Sequence, residues 1–239
     1  MVDLPDLVGH PAFPTTMETL VAGNGGTVLD AARAALDRDE ADNFVVPGAR
    51  LLAPLLPASL RSRDAHDAVR RVVGPGDEIS WPPGAGWLDY EPKIVAVLGR
   101  DAPGVDPEDA GRAVFGYTLV SDFAARDANG DPTSDPEGVP IAIGPCVVTA
   151  DDVDPQMMTV TVRVDGEEWV KGNLNGVARS LLAAVAQAAR YEELRPGDAF
   201  ASSPYGGFEG KLEQRIWPGA EVELVAERIG VLTNRLGRP

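Results

Sequence analysis

The sequence predicts an α+β fold that is mainly β, and three observations predict it. From Tyr90 onward, short runs rich in β-branched and aromatic residues alternate with turn signals. The first 45 residues carry helical periodicity instead. With 44% hydrophobic and 24% charged residues, a chain of 239 residues has enough apolar surface for a sizeable core.

The first 45 residues predict two short helices. Thr15 with Glu18 and Thr27 with Asp30 have N-cap spacing, "VLDAARAALDRD" repeats apolar residues on one helical face, and "GNGG" at 23–26 separates the two. Residues 1–50 are therefore assigned to a small N-terminal lobe and residues 51–239 to the main domain. Segment 51–86 is punctuated by proline and glycine and reads as turns, with room for one helix around Asp64 to Val72. The strands that follow are placed on "KIVAVLG", "FGYTLVSD", "PIAIGPCVVTA", "MTVTVRVDGEEWVKG", "GDAFASS" and "AEVELVAERIGVLTNRL". Within "VRVDGEEWV", Asp165-Gly166 between two alternating runs signals a hairpin. Two helices interrupt the strands. One runs from Asp106, an N-cap with Pro107 in the first turn, to Phe115, and the other from Asn173 to Tyr191.

The net charge of −16, from 37 acidic against 21 basic residues, repels phosphate backbones and anionic bilayers, so neither nucleic acid nor a membrane is expected as a partner. The acidity itself reads as a solvated surface. No apolar run approaches the roughly 20 residues of a membrane-spanning helix. Cys146 is the single cysteine, which rules out an internal disulfide, and no basic start precedes an apolar stretch and cleavage site, so the cytoplasm is the default location. Between the apolar neighbours of "IGPCVVTA", Cys146 reads as a buried, inert thiol.

The chemistry concentrates around "WLDYEPKIVAVLGR", residues 87–100. Side chains two apart on a strand share a face, so Glu91 and Lys93 project together. Ile94 to Leu98 is apolar at every position, as in a strand covered on both faces, and the charged pair stands at its entrance. A second carboxylate, Asp122, closes another apolar strand in "GYTLVSDFAARD", where strand ends present functional groups. Arg126 and Asp127 just after it read as an ion pair that fixes the loop.

Together, "LDYEPKIVAVLGR", "VFGYTLVSDFAARD", "AIGPCVVTADDV", "VRVDGEEWVKG", "LRPGDAFASSP" and "ERIGVLTNRLG" stand in the order and spacing of the fumarylacetoacetate hydrolase family. The chain resembles that family from about Leu51 onward. The resemblance implies several mixed sheets curled around a central site, a smaller N-terminal lobe and a homodimer. It also implies a Mg or Ca ion that binds a 1,3-dicarbonyl or 2-oxo acid and stabilises an enolate-like transition state. The first glutamate of the family's E-x-E pair matches Glu91 and its later aspartate matches Asp122, but the second glutamate matches Lys93. An ammonium has no lone pair to offer a metal. The family's lysine before "IGP" is missing from "TSDPEGVPIAIGP", its "TGTP" is reduced to "ASSP", and its early-loop histidine is matched only roughly by His66, with Asp67 beside it.

Three functions follow from this departure. The leading expectation is a metal-free cyclase or isomerase of an oxo- or enol-containing small molecule in secondary metabolism, with no cofactor. Lys93, Glu91, Asp122 and His66 are its catalytic candidates. Tyr117, Trp81, Trp87, Arg126, Ser202, Tyr205 and Phe208 are its substrate-binding candidates. The second is a Mg- or Ca-dependent hydrolase or decarboxylase of an acylpyruvate-like substrate, the metal held by Glu91, Asp122 and water. The third, of another class, is a non-catalytic ligand-binding protein.

Overall fold

The computed structural model describes residues 1–23, 26–62, 65–67, 71–102, 106–133, 139–174, 177–202 and 215–239, with the backbone alone at 26, 62, 65–67, 107–108 and 178–179. Its strands are β1 (Ser59–Ser62), β2 (Ala65–Asp67), β3 (Val72–Val73), β4 (Glu78–Ile79), β5 (Trp87–Leu98), β6 (Val114–Arg126), β7 (Ile141–Thr149), β8 (Thr159–Val164), β9 (Glu167–Asn173), β10 (Asp198–Ser202), β11 (Glu221–Ala226) and β12 (Gly230–Leu236). They form a seven-stranded sheet in the order β2-β1-β10-β5-β6-β7-β3 and a five-stranded sheet in the order β4-β12-β11-β8-β9. Both are mixed: β1 runs parallel to β10, β3 to β7 and β4 to β12, while the remaining pairs are antiparallel. The mainly-β α+β expectation therefore holds.

The long β5–β6 pair is the spine, antiparallel from Trp87↔Arg126 to Val97↔Gly116. One face carries Leu88, Tyr90, Ile94 and Ala96 of β5 with Tyr117, Leu119 and Phe123 of β6 into the main core, where they meet β8, β11 and two helices, α4 (Pro107–Ala113) and α5 (Val177–Ala188). The other face carries Val95, Val97 and Val120 into a second cluster with Ile141, Ile143, Ala199 and Ala201. That face is covered by Val21, with Met17, Leu20 and Leu29 packed against it from the N-terminal helices. The uniform apolar run after Lys93 thus has the cause expected of it, burial on both faces.

Several local expectations are corrected. Three α-helices, not two, precede the sheets: α1 (Leu4–Val8), α2 (Met17–Ala22) and α3 (Gly26–Leu36), with a 3-10 turn at Ala41–Phe44. Thr16, not Thr15, caps α2, its Oγ1 accepting from the Thr19 amide at 3.2 Å in a capping box with Thr19, and Thr27 falls inside α3. No helix forms at 65–67, because these residues pair antiparallel with the neighbouring β1, and strand pairing overrides a weak helical preference. The hairpin stands where expected. Asp165 (φ 48°) and Gly166 (φ 82°) are both left-handed, the backbone of a type I′ turn between β8 and β9.

Candidate functional site

The β5–β6 register sets Glu91 directly opposite Asp122 and Lys93 opposite Val120, and cross-strand partners share a face. Glu91, Lys93 and Asp122 therefore meet. The Lys93 ammonium donates to Asp122 Oδ2 at 2.6 Å and lies 3.5 Å from Glu91 Oε2. Exposure separates the two carboxylates. The Lys93 and Asp122 side chains are 8% and 10% exposed, whereas Glu91 is 58% exposed. A buried charge needs a partner, which Lys93 and Asp122 give each other, while Glu91 stays free to reorient toward solvent.

The same face continues toward the start of β5. Arg126 Nε donates to Asp89 Oδ2 at 2.6 Å, and the Trp87 indole donates to Asp89 Oδ1 at 3.3 Å. The Arg215 guanidinium lies 4.1 Å from the centre of the Trp87 ring, a cation–π contact. One sheet face thus holds a polar row, Trp87, Asp89, Glu91 and Lys93, flanked by Asp122 and Arg126. Arg126 pairs with Asp89 rather than with Asp127, whose carboxylate instead accepts from the backbone amides of Asn129 and Asp131. Those two bonds hold the Asp127 carboxyl below the usual carboxylate range.

Other candidates lie elsewhere. Tyr117 pairs with Ala96 and is buried in the main core on the opposite face from Lys93. Burial, with the Asp154 charge adding to it, pushes its phenol up to about 12. Ser202 pairs with Ile94 and belongs to that opposite face as well. Trp81 is a core residue whose indole donates to the Ala85 carbonyl. The backbone of His66 lies on β2 opposite Arg61, and its side chain, like Tyr205 and Phe208, is outside the described residues. Cys146 is half-buried, its thiol 3.4 Å from the Ile229 carbonyl, and burial raises its pKa, as suits an inert thiol. Asp89 was within reach of sequence reasoning, since it shares the two-residue period of Glu91 and Lys93. Arg215 carried no signal, because its place beside Trp87 depends on long-range folding.

The set Glu91, Asp122 and Lys93 does not fit a divalent ion. Among the described residues, no three acidic, histidine or cysteine side chains are grouped to hold one. The space between the two carboxylates belongs to an ammonium, which repels a metal and cannot ligate it.

The chain matches the model of the fumarylacetoacetate (FAA) hydrolase C-terminal region over residues 67–237, and it belongs to the fumarylacetoacetate hydrolase family. It is 30% identical over 177 residues to human mitochondrial oxaloacetate tautomerase FAHD2A, a match covering 69% of this chain and 55% of the relative. The chain therefore spans about half the length of that curated relative. A crystal structure of 2-hydroxyhepta-2,4-diene-1,7-dioate isomerase from Mycobacterium marinum is similar at 27% identity and a TM-score of 0.63, over 79% of this chain and 78% of that one. Fumarylacetoacetate hydrolase from Exiguobacterium antarcticum shares the fold over 100% of this chain and 92% of its own, with a TM-score of 0.76 at 23% identity. This is a family of enzymes, and its members here carry the names tautomerase, isomerase and hydrolase.

Proposed function

We propose that the chain is an isomerase that interconverts the keto and enol forms of a small 2-oxo acid at Lys93. The observation that carries this reading is the unequal pairing of one ammonium, held at 2.6 Å by buried Asp122 and at 3.5 Å by exposed Glu91. Asp122 fixes the position of Lys93. The Lys93 charge then faces the carbonyl oxygen of the substrate, where negative charge develops as an enolate forms. Glu91 takes the proton from the adjacent carbon, the C–H pair becomes the C=C bond, and the carbonyl pair moves to the oxygen. Return of that proton from Glu91 to the oxygen yields the enol, so atoms and charge balance without a further reactant.

Proton transfer is preferred to the cyclisation that the sequence also suggested, because the relatives described above bear the names tautomerase and isomerase. Oxaloacetate is the first substrate to try. The test follows the enol absorbance of oxaloacetate and of other 2-oxo acids, and their C3 proton exchange in D2O by NMR, after treatment of the protein with EDTA. Turnover is expected to survive chelation. It should fall by roughly 10²–10³-fold in Lys93→Gln and by roughly 10²–10⁴-fold in Glu91→Gln. Wild-type rates in both variants would overturn the proposal, and turnover lost to EDTA and restored by Mg would replace it with the metal-dependent reading.

A further inference from the structure

We infer that Lys93 is a built-in counter-cation that closes the Glu91–Asp122 pair to divalent metal ions, and that replacing it opens a metal site the wild-type protein does not have. The inference rests on the site of the proposed isomerase but not on its reaction. Two like charges placed directly opposite each other on adjacent strands destabilise a sheet. The β5–β6 register imposes that arrangement on Glu91 and Asp122, and a cation between them offsets the repulsion. The chain supplies it covalently, from a position two residues along the same face.

Geometry makes the occupant exclusive. Mg binds carboxylate oxygens at about 2.0–2.1 Å and Ca at about 2.3–2.6 Å. The Lys93 nitrogen already stands 2.6 Å from Asp122 Oδ2, within the same shell. A divalent ion on that oxygen would sit almost against the ammonium, or drive it from its carboxylate into surroundings that include Val95 and Val120 of the second apolar cluster. Either course is unfavourable. Lys93→Gln removes the positive charge that stands between the two carboxylates. Lys93→Glu adds a third oxygen ligand on the same face.

The test uses Mn2+, which is paramagnetic and can be counted by water-proton relaxation while Tm is recorded in parallel. Wild-type protein is expected to show the same Tm in EDTA and in Mn2+, apart from weak binding to its acidic surface. Each Lys93 variant should melt lower in EDTA and regain roughly 2–5 °C in Mn2+. Each should also bind one more ion than wild type, at least about tenfold tighter than any wild-type site. Adding Asp122→Asn to Lys93→Gln should remove that extra ion, which separates it from surface binding. Should a variant be recovered unfolded, its refolding yield in Mn2+ against EDTA takes the place of Tm. A wild-type Mn2+ site abolished by Asp122→Asn overturns the inference, and so does the failure of both variants to gain an ion. Absence of oxo-acid turnover in the wild-type protein, with these metal responses of the variants intact, would defeat the proposed reaction and leave this inference standing.

Discussion

Asp122 and Glu91 both face Lys93, yet their removal should have very different consequences. Asp122→Asn leaves a nearly buried ammonium without its 2.6 Å carboxylate, and breaking a buried pair from one side costs about 3–5 kcal/mol. For a chain of this size that is a fall of roughly 6–20 °C in Tm. Glu91→Gln removes a longer contact from a side chain that is 58% exposed, and its cost should stay under about 1 kcal/mol. Thermal melts of the two variants at neutral pH check the contrast, and equal losses would mean that Asp122 is not the anchor. Tyr117 offers a pH test. Its phenol, ordinarily at 10.0, is pushed up to about 12 by burial and by Asp154, so the folded protein keeps a proton that the unfolded chain gives up. That stability is fully present below pH 10 and is lost as pH rises through 12, about 2–3 kcal/mol in all. Urea unfolding at pH 9 and at pH 11.5 should therefore show Tyr117→Phe losing less stability with rising pH than wild type, and parallel losses would contradict the burial argument.

The secondary elements explain which parts of the site were legible in the sequence. Glu91 and Lys93 could be placed on one face because the two-residue period is local to a single strand, whereas Asp122, read as a strand end, lies inside β6, which continues to Arg126, and it is the β5–β6 register that brings it to them. Tyr117, Ser202 and Trp81 could not be sorted that way. Whether a side chain on β6 or β10 shares the face of Lys93 depends on the register between strands, and a shift of one residue exchanges the faces. The Asp165-Gly166 hairpin was legible because its turn needs two left-handed residues. The strand at 65–67 was not, since its partner β1 makes it a strand. Register also makes Gly116 a sensitive position. A Cβ there would stand 2.3 Å from the Val148 carbonyl oxygen and 2.8 Å from Val147 Cγ1, where β6 and β7 approach just before their register slips between Tyr117 and Leu119. Gly116→Ala must push β7 away, at about 1–3 kcal/mol, and should lower Tm by roughly 2–12 °C. An unchanged Tm would mean that β7 yields without cost.

The whole molecule carries a net charge of −16, and among the described residues no helix is long and apolar enough to cross a membrane. Folding gathers that charge into a small volume, so self-repulsion opposes the compact state, and salt relieves it. The Debye length falls from about 30 Å at 0.01 M to about 10 Å at 0.1 M, less than the span of the sheets, so most of the long-range repulsion should disappear in that interval. Tm is therefore expected to rise by a few degrees between those salt concentrations, equally in sodium and choline chloride if screening rather than cation binding is responsible. The buried Lys93–Asp122 pair is less screened than surface charges, so Asp122→Asn should keep its deficit across the whole range. An anionic 2-oxo acid meets the same field on its approach. With Lys93, Arg126 and Arg215 on or beside one sheet face as local cations in an otherwise acidic protein, screening removes more repulsion than attraction. The kcat/KM of the proposed isomerase should then increase with ionic strength, and it should do so less for a neutral ester of the same acid. A rate that falls with salt would show instead that the cations around Lys93 dominate the field the substrate feels, and that the acidic surface faces away from its path.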